Sequence, residues 1–226
     1  MTCVAEPDLT PRAEQTRTAI TEAALRLFRE NGYEATTMRA IAQEAGVSTG
    51  NAYYYFGSKE ELVQQFYARN QVEHLAACRR VLESETEFAA RLRGTLHALV
   101  DVMEPYHAFA ARFFKYAAEP SSPLSPFSKE SSPAREAALA LYREVVDGST
   151  ARIDRELRAQ LPELLWLYSL GIVLFWVHDT STGCAKTYQL IDRTVPLADR
   201  LVALSRVRIL RSTFREIITI IEDIRR

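Results

Sequence analysis

Thr49, Asn51, Tyr53 and Tyr54 fall within six residues of one another, in the stretch STGNAYYYF. An Asn amide can bond an adenine edge at two points, and a Thr methyl can meet the methyl of thymine. Tyr hydroxyls suit phosphate oxygens, contacts that fix register rather than sequence. To use this chemistry the residues must stand on a short helix turned outward, and the preceding residues supply one. Met38, Ile41, Ala42 and Ala45 recur at i, i+3, i+4 and i+7, the apolar face of a first helix. Gly46 suits the left-handed position that ends it, and Ser48 suits the N-cap of a second helix over about 49–56. Two helices joined by a three- or four-residue turn containing Gly form a helix-turn-helix, whose second helix enters the DNA major groove. That second helix is too short and polar to be a core helix.

The stretch TTMRAIAQEAGVSTGNAYYYFGSKEEL, residues 36–62, resembles the DNA-binding domain of the TetR/AcrR family of bacterial transcriptional regulators. The paired Thr, the I-A-x-x-A-G-V-S turn, the Y-x-Y-F end and G-S-K-E-E-L appear in order, and the likeness runs from about Arg12 to Leu62. It implies an all-α protein of about nine or ten helices. An N-terminal three-helix helix-turn-helix head is joined by a long helix to an all-helical ligand-binding and dimerisation domain. It also implies that Thr49, Gly50, Asn51 and Tyr53 face the groove while Arg39 reaches a base or phosphate; Arg can bond guanine. Thr37, Ser48, Tyr54, Tyr55 and Lys59 complete the expected DNA-binding set, although Thr36 or Thr37 also reads as the cap of the first of these two helices and Ser48 as that of the second. Val47, Ala52 and Phe56 are expected in the head's own core, and Ala52 stands where the family commonly has a larger aliphatic.

Charge alone does not suggest a nucleic-acid partner. The chain of 226 residues has a net charge of −1, and its first 60 residues hold six cations against eight anions. Phosphate neutralisation provides much of DNA affinity, so the grip must come from a few placed cations, Arg39 and Lys59 among them, hydroxyl side chains and helix N-termini. Hydrophobic content of 47% and charged content of 25% are ordinary for a globular protein able to bury a sizeable core. Cys3, Cys78 and Cys184 are odd in number and in no metal or redox spacing, which points to reduced thiols and no metal. His74, His97, His107 and His178 form no catalytic or zinc motif, so no catalytic residue and no cofactor is expected. The N-terminus has neither a basic flank nor an apolar stretch, and the apolar run Leu164–Val177 falls short of the ~18 residues of a membrane span. A cytoplasmic protein without membrane contact is the expectation.

Along the chain, residues 1–9 read as a disordered arm and 10–62 as the head. Thr10, Pro11 and Glu14 open a first helix that Gly32 ends. Ser58 and Glu61 form a capping box for a helix of about 26 residues that becomes a strut into a second domain, 63–226. Pro105 starts a sixth helix, and residues 119–133, with four prolines and six serines, read as an irregular loop. Pro162 starts an eighth helix, apolar on nearly all sides. A ninth is kinked at Pro196, and Leu210, Phe214, Ile217, Ile221 and Ile224 mark a last one.

Met103, Phe109, Phe113, Phe114, Tyr116, Tyr142, Trp166 and Tyr168 can line a mainly apolar pocket, though an aromatic stripe at helical spacing also describes a core. Leu167, Leu170, Leu174, Trp176, Leu190 and Ile191 would leave a large apolar patch unless a second copy covers it. With these residues, the resemblance implies a repressor that binds a palindromic operator as a homodimer and is released by a small, mainly apolar or aromatic effector. A DNA-binding regulator or helical adaptor without a small-molecule ligand is the alternative.

Overall fold

Residues 10–205 are described by the structure, a computed structural model. They form nine α-helices and, among the described residues, no strand: α1 (Pro11–Asn31), α2 (Met38–Glu44), α3 (Thr49–Tyr55), α4 (Lys59–Ser84), α5 (Phe88–Met103), α6 (His107–Ala118), α7 (Ser132–Asp147), α8 (Arg155–Val177) and α9 (Ala185–Leu204). The expected arm at 1–9 and the last helix beyond 205 lie outside the described residues.

The chain divides into two compact units. The first runs to Tyr67 and also takes in Ala108–Ser131; the second holds Ala68–His107 and continues from Ser132. The boundary expected at 62/63 is therefore incomplete, because most of α6 and the Pro/Ser-rich segment fold with the head. Apolar burial explains the difference. Phe109 stacks on Phe28 with ring centroids 5.9 Å apart, and Tyr33 meets Phe113 at 5.4 Å and Tyr116 at 5.1 Å. Burying such a ring is worth about 1.5–3 kcal/mol. The 119–131 segment has turns but no helix, and it is tied down: the Gln64 amide donates to the Pro123 carbonyl at 2.7 Å and the Tyr67 hydroxyl to that of Leu124 at 3.2 Å.

In the first unit, Thr10 caps α1 by accepting from the Ala13 N–H, with Pro11 at the first helical position. Gly32, at φ 83°, ends α1. Ser58 Oγ accepts from the Glu61 N–H at the start of α4, while the Glu61 carboxylate accepts from the Gly57 N–H at 2.8 Å.

In the second unit, α7 lies along α8 and α5 along α9. Pro162 does not start α8. The helix begins seven residues earlier, with Asp154 as its N-cap, and Pro162 lies buried inside it. The buried stripe Leu157, Leu161, Leu165, Ser169, Ile172, Trp176 passes straight through the proline, and its burial outweighs the one lost backbone hydrogen bond. At 23 residues α8 is, among the described residues, the helix long and apolar enough to cross a membrane by length and composition. Its stripe packs instead into this unit's core, beside α5, α7 and α9. Pro196 lies inside α9, as the sequence suggests.

Candidate nucleic-acid interface

The turn between α2 and α3 is a Schellman closure. The Val47 N–H donates to the Ala42 carbonyl at 2.9 Å and the Gly46 N–H to that of Gln43 at 3.1 Å, with Gly46 at φ 69°. A side chain there would be strained, so glycine is needed. Thr37 Oγ1 accepts from the Ala40 N–H and Ser48 Oγ from the Asn51 N–H, both at 3.1 Å. Each cap is worth about 1 kcal/mol. Thr37 and Ser48 thus hold the two helices in place, and both are also exposed.

α3 shows two faces. Ala52 and Phe56 are buried with Ile41 and Ala42 of α2, and Val47 is half-buried. Arg17 of α1 sits 5.6 Å over the Phe56 ring. On the other face Thr49, Gly50, Asn51, Tyr53 and Tyr54 are exposed, Tyr54 at 79%. Tyr55 is half-buried and meets Tyr54 edge-on at 5.2 Å. Nothing lies within 4 Å of where a Gly50 Cβ would stand. The chain itself therefore sets no steric need for glycine there, whereas a partner approaching the backbone would.

The cations divide. Arg39, on α2, is exposed, and neither its guanidinium nor that of exposed Arg12 has a partner among the described residues. Arg26 is paired with Glu44 at 3.1 Å. Lys59 is occupied within the head: its Nζ donates to the Tyr33 carbonyl at 2.8 Å and lies 4.5 Å over that ring. It closes the turn after α1, with a second, longer contact from Nζ to the Glu34 carbonyl at 3.4 Å. Tyr33 in turn donates to Glu60 at 2.5 Å, and burial, followed by that bond, raises the phenol pKa far above its ordinary value.

The eight aromatic and thioether positions suggested as one pocket divide between the two units. Phe109, Phe113, Phe114 and Tyr116 belong to the first unit, where three of them pack with Phe28 and Tyr33. Met103, Tyr142, Trp166 and Tyr168 belong to the second. The suggested dimer residues also separate. Trp176 and Ile191 are wholly buried in the core of the second unit, Leu167, Leu170 and Leu190 are half-buried, and Leu174 is 47% exposed. Phe175, Leu197, Leu201 and Leu204, which the sequence reading left out, are exposed as well. Their signal was present in α9, where Leu190, Thr194, Leu197, Leu201 and Leu204 alternate steps of four and three.

Comparison with known proteins agrees with this architecture. The regulator UidR of Escherichia coli K12 is 39% identical over 71 residues, which are 31% of this chain and 36% of UidR. The repressor KstR2 of Mycobacterium tuberculosis H37Rv is 37% identical over 93 residues, 41% of this chain and 46% of KstR2. The chain thus spans less than half the length of these relatives. Among solved structures, a TetR regulator from Nitrosomonas europaea superposes with a TM-score of 0.63 at 18% identity, covering 80% of this chain and 97% of that one. FadR of Thermus thermophilus, solved with lauroyl-CoA, gives 0.57 at 24% identity over 79% and 92%. Residues 20–66 match the tetR family of bacterial regulatory proteins. Residues 91–219, more than half of the chain, match the tetracyclin repressor-like C-terminal domain, and the chain belongs to the TetR family of bacterial transcriptional regulators.

Proposed function

We propose that the chain is a ligand-responsive transcriptional repressor that binds a palindromic operator as a homodimer and is released by a small, mainly apolar effector. The observation that carries the DNA reading is the division of α3. One face is closed into the head's core, and the other offers Thr49, Asn51 and Tyr53 to solvent, as does α2 its Arg39, whose side chain has no partner among the described residues. Asn51 and Arg39 read base edges, and Thr37, Tyr54 and Tyr55 contact phosphate. Lys59, already bonded to the Tyr33 and Glu34 carbonyls, contributes at most a phosphate contact.

One seven-residue helix reads few base pairs, so two heads on a two-fold axis are needed, with half-sites one helical turn or a multiple apart. The exposed Leu174 and Phe175 of α8 and the Leu197, Leu201, Leu204 series of α9 support a second copy packed on these helices. Repression is the reading favoured by the relative named as a repressor. Ligand response is favoured by the fold neighbour solved with lauroyl-CoA. The effector acts by shifting α4 and with it the distance between heads, which requires unequal affinity for the two states.

A gel-shift titration with DNA from the gene's own promoter region tests the reading. Salt-dependent binding to a palindrome at nanomolar to micromolar protein is expected; no binding at any salt would sink it. The ligand response fails separately if candidate compounds neither shift the melting temperature nor release bound DNA.

A further inference from the structure

The side chains able to read a base pair form a short and lopsided set. Between Thr37 and Ser58 the chain holds one Arg or Lys, Arg39, and one carboxylate, Glu44. Glu44 is held by Arg26 of α1 at 3.1 Å, and the next cation, Lys59, is held by the Tyr33 and Glu34 carbonyls. The exposed face of α3 consists of Thr49, Gly50, Asn51, Tyr53 and Tyr54 and carries no charge.

The four bases ask for different partners. In the major groove guanine shows two acceptors, O6 and N7, and calls for a double donor such as Arg or Lys. Cytosine shows an N4 donor that a carboxylate meets. α3 has neither kind of side chain. Adenine shows one acceptor and one donor, which an amide matches at two points, and thymine shows a methyl group. The Asn51 amide has no side-chain partner among the described residues, and Thr49 and Tyr53 offer a methyl and a ring to a thymine methyl. A hydroxyl bonds donors and acceptors alike, so the Thr and Tyr oxygens discriminate little. On α2, Gln43 is exposed one turn after Arg39 and is a second amide. The guanine reader of this stretch is Arg39, and it stands on α2, outside the recognition helix.

Asn51 and Thr49 are short, so they reach base edges only if the α3 backbone comes near the groove floor. Gly50 lies between them. It does not have the positive φ of Gly32 or Gly46, and space for 4 Å around its missing Cβ is open. Neither its backbone nor its neighbours require glycine, and Ala is the better helix former. A bare backbone at this point is what short readers need.

We propose that each operator half-site is a run of A·T pairs read by Asn51, Thr49 and Tyr53, with a single G·C pair at its edge read by Arg39, and that Gly50 lets α3 sit deep enough for this readout. The proposal rests on the DNA-binding reading above and names the class of sequence which that surface takes.

The test selects duplexes from a random pool with the full-length protein and then titrates the selected duplex by fluorescence anisotropy. The selected half-sites should be A·T runs bounded by one G·C pair. Replacing that G·C pair by A·T should weaken wild type about ten-fold and Arg39→Ala hardly at all. Replacing one particular A·T pair by G·C should likewise weaken wild type about ten-fold and Asn51→Ala hardly at all. Gly50→Ala should melt at or above the wild-type temperature and still bind the selected duplex more weakly. Half-sites rich in G·C would overturn the proposal and leave DNA binding in place. So would base preferences that Asn51→Ala and Arg39→Ala leave unchanged, since an A·T preference set by groove shape alone survives loss of the amide. Wild-type affinity in Gly50→Ala would overturn the deep seating of α3. Failure to enrich any sequence, even at low salt, would overturn the DNA reading itself.

Discussion

Arg39, Tyr53 and Lys59 look alike in the sequence as DNA contacts, and their surroundings separate them. Arg39 and Tyr53 are exposed with no side-chain bonding partner among the described residues, so Arg39→Ala and Tyr53→Ala should each weaken operator binding by ~1–3 kcal/mol and leave the melting temperature unchanged. Unaltered affinity in a fluorescence-anisotropy titration would remove those assignments. Lys59 bonds the Tyr33 carbonyl and covers its ring, so Lys59→Ala should lower the head's stability by about 1 kcal/mol. It should also change the salt dependence of binding less than Arg39→Ala does. A variant with wild-type stability and a reduced salt slope would return Lys59 to the phosphate contacts. The reading of the helix-turn-helix residues needed only neighbours within a turn or two, where type and spacing determine structure. Lys59 depends on a backbone carbonyl 26 residues away, and no local pattern announces that.

Helices were readable where their ends carry local chemistry. The caps at Thr10, Thr37 and Ser48 and the glycine stops at Gly32 and Gly46 all stand where the sequence puts them. The start of α8 was not readable, because Pro162 is a strong local breaker and the burial that overrides it comes from other helices. Arg91 is a second case of long-range control. Its guanidinium donates to Leu82 and Glu85 at the end of α4 and to Glu144 and Val145 at the end of α7. One cation thereby satisfies the terminal carbonyls of two helices. A Cβ at Gly148 would lie 2.3 Å from its Nη2, so that glycine makes room for it. Arg91→Met should cost on the order of 3 kcal/mol by chemical denaturation, and Arg91→Lys should recover little because a point charge cannot reproduce the fork. Asp179 closes the start of α9. Its burial pushes the carboxyl pKa up, but bonds from Ser181 and Thr187 outweigh this and hold it at about 2, below the ordinary 3.8. The folded value is the lower one, so this stabilisation is complete above about pH 4 and is lost as pH falls toward 2. Asp179→Asn should flatten the melting-temperature profile over that window; an unchanged slope would assign the acid sensitivity elsewhere.

Taken as a whole, the molecule keeps its apolar interior and its apolar surface on different residues than composition suggests. Trp176 and Ile191 complete the protomer, while Leu174 and the Leu197–Leu201–Leu204 series stay outside, Leu201 at 55% exposure. The double variant Leu174→Glu, Leu201→Glu should sediment as a folded monomer and bind the operator far more weakly; a persistent dimer would place the interface elsewhere. An all-helical second domain follows from periodicity, but which face of α8 and α9 turns inward is decided by partners the one-dimensional pattern does not contain.

The return of Ala108–Ser131 to the head means that the reading module is not contiguous in the gene. A chimaera that takes residues 10–67 alone would strip Phe28 and Tyr33 of the α6 rings and leave Gln64 and Tyr67 without their carbonyls. Such a graft should express poorly or melt early, whereas one that also carries 108–131 should fold. Exchange of heads between regulators of this build therefore calls for three cuts in the chain, after 67, before 108 and after 131.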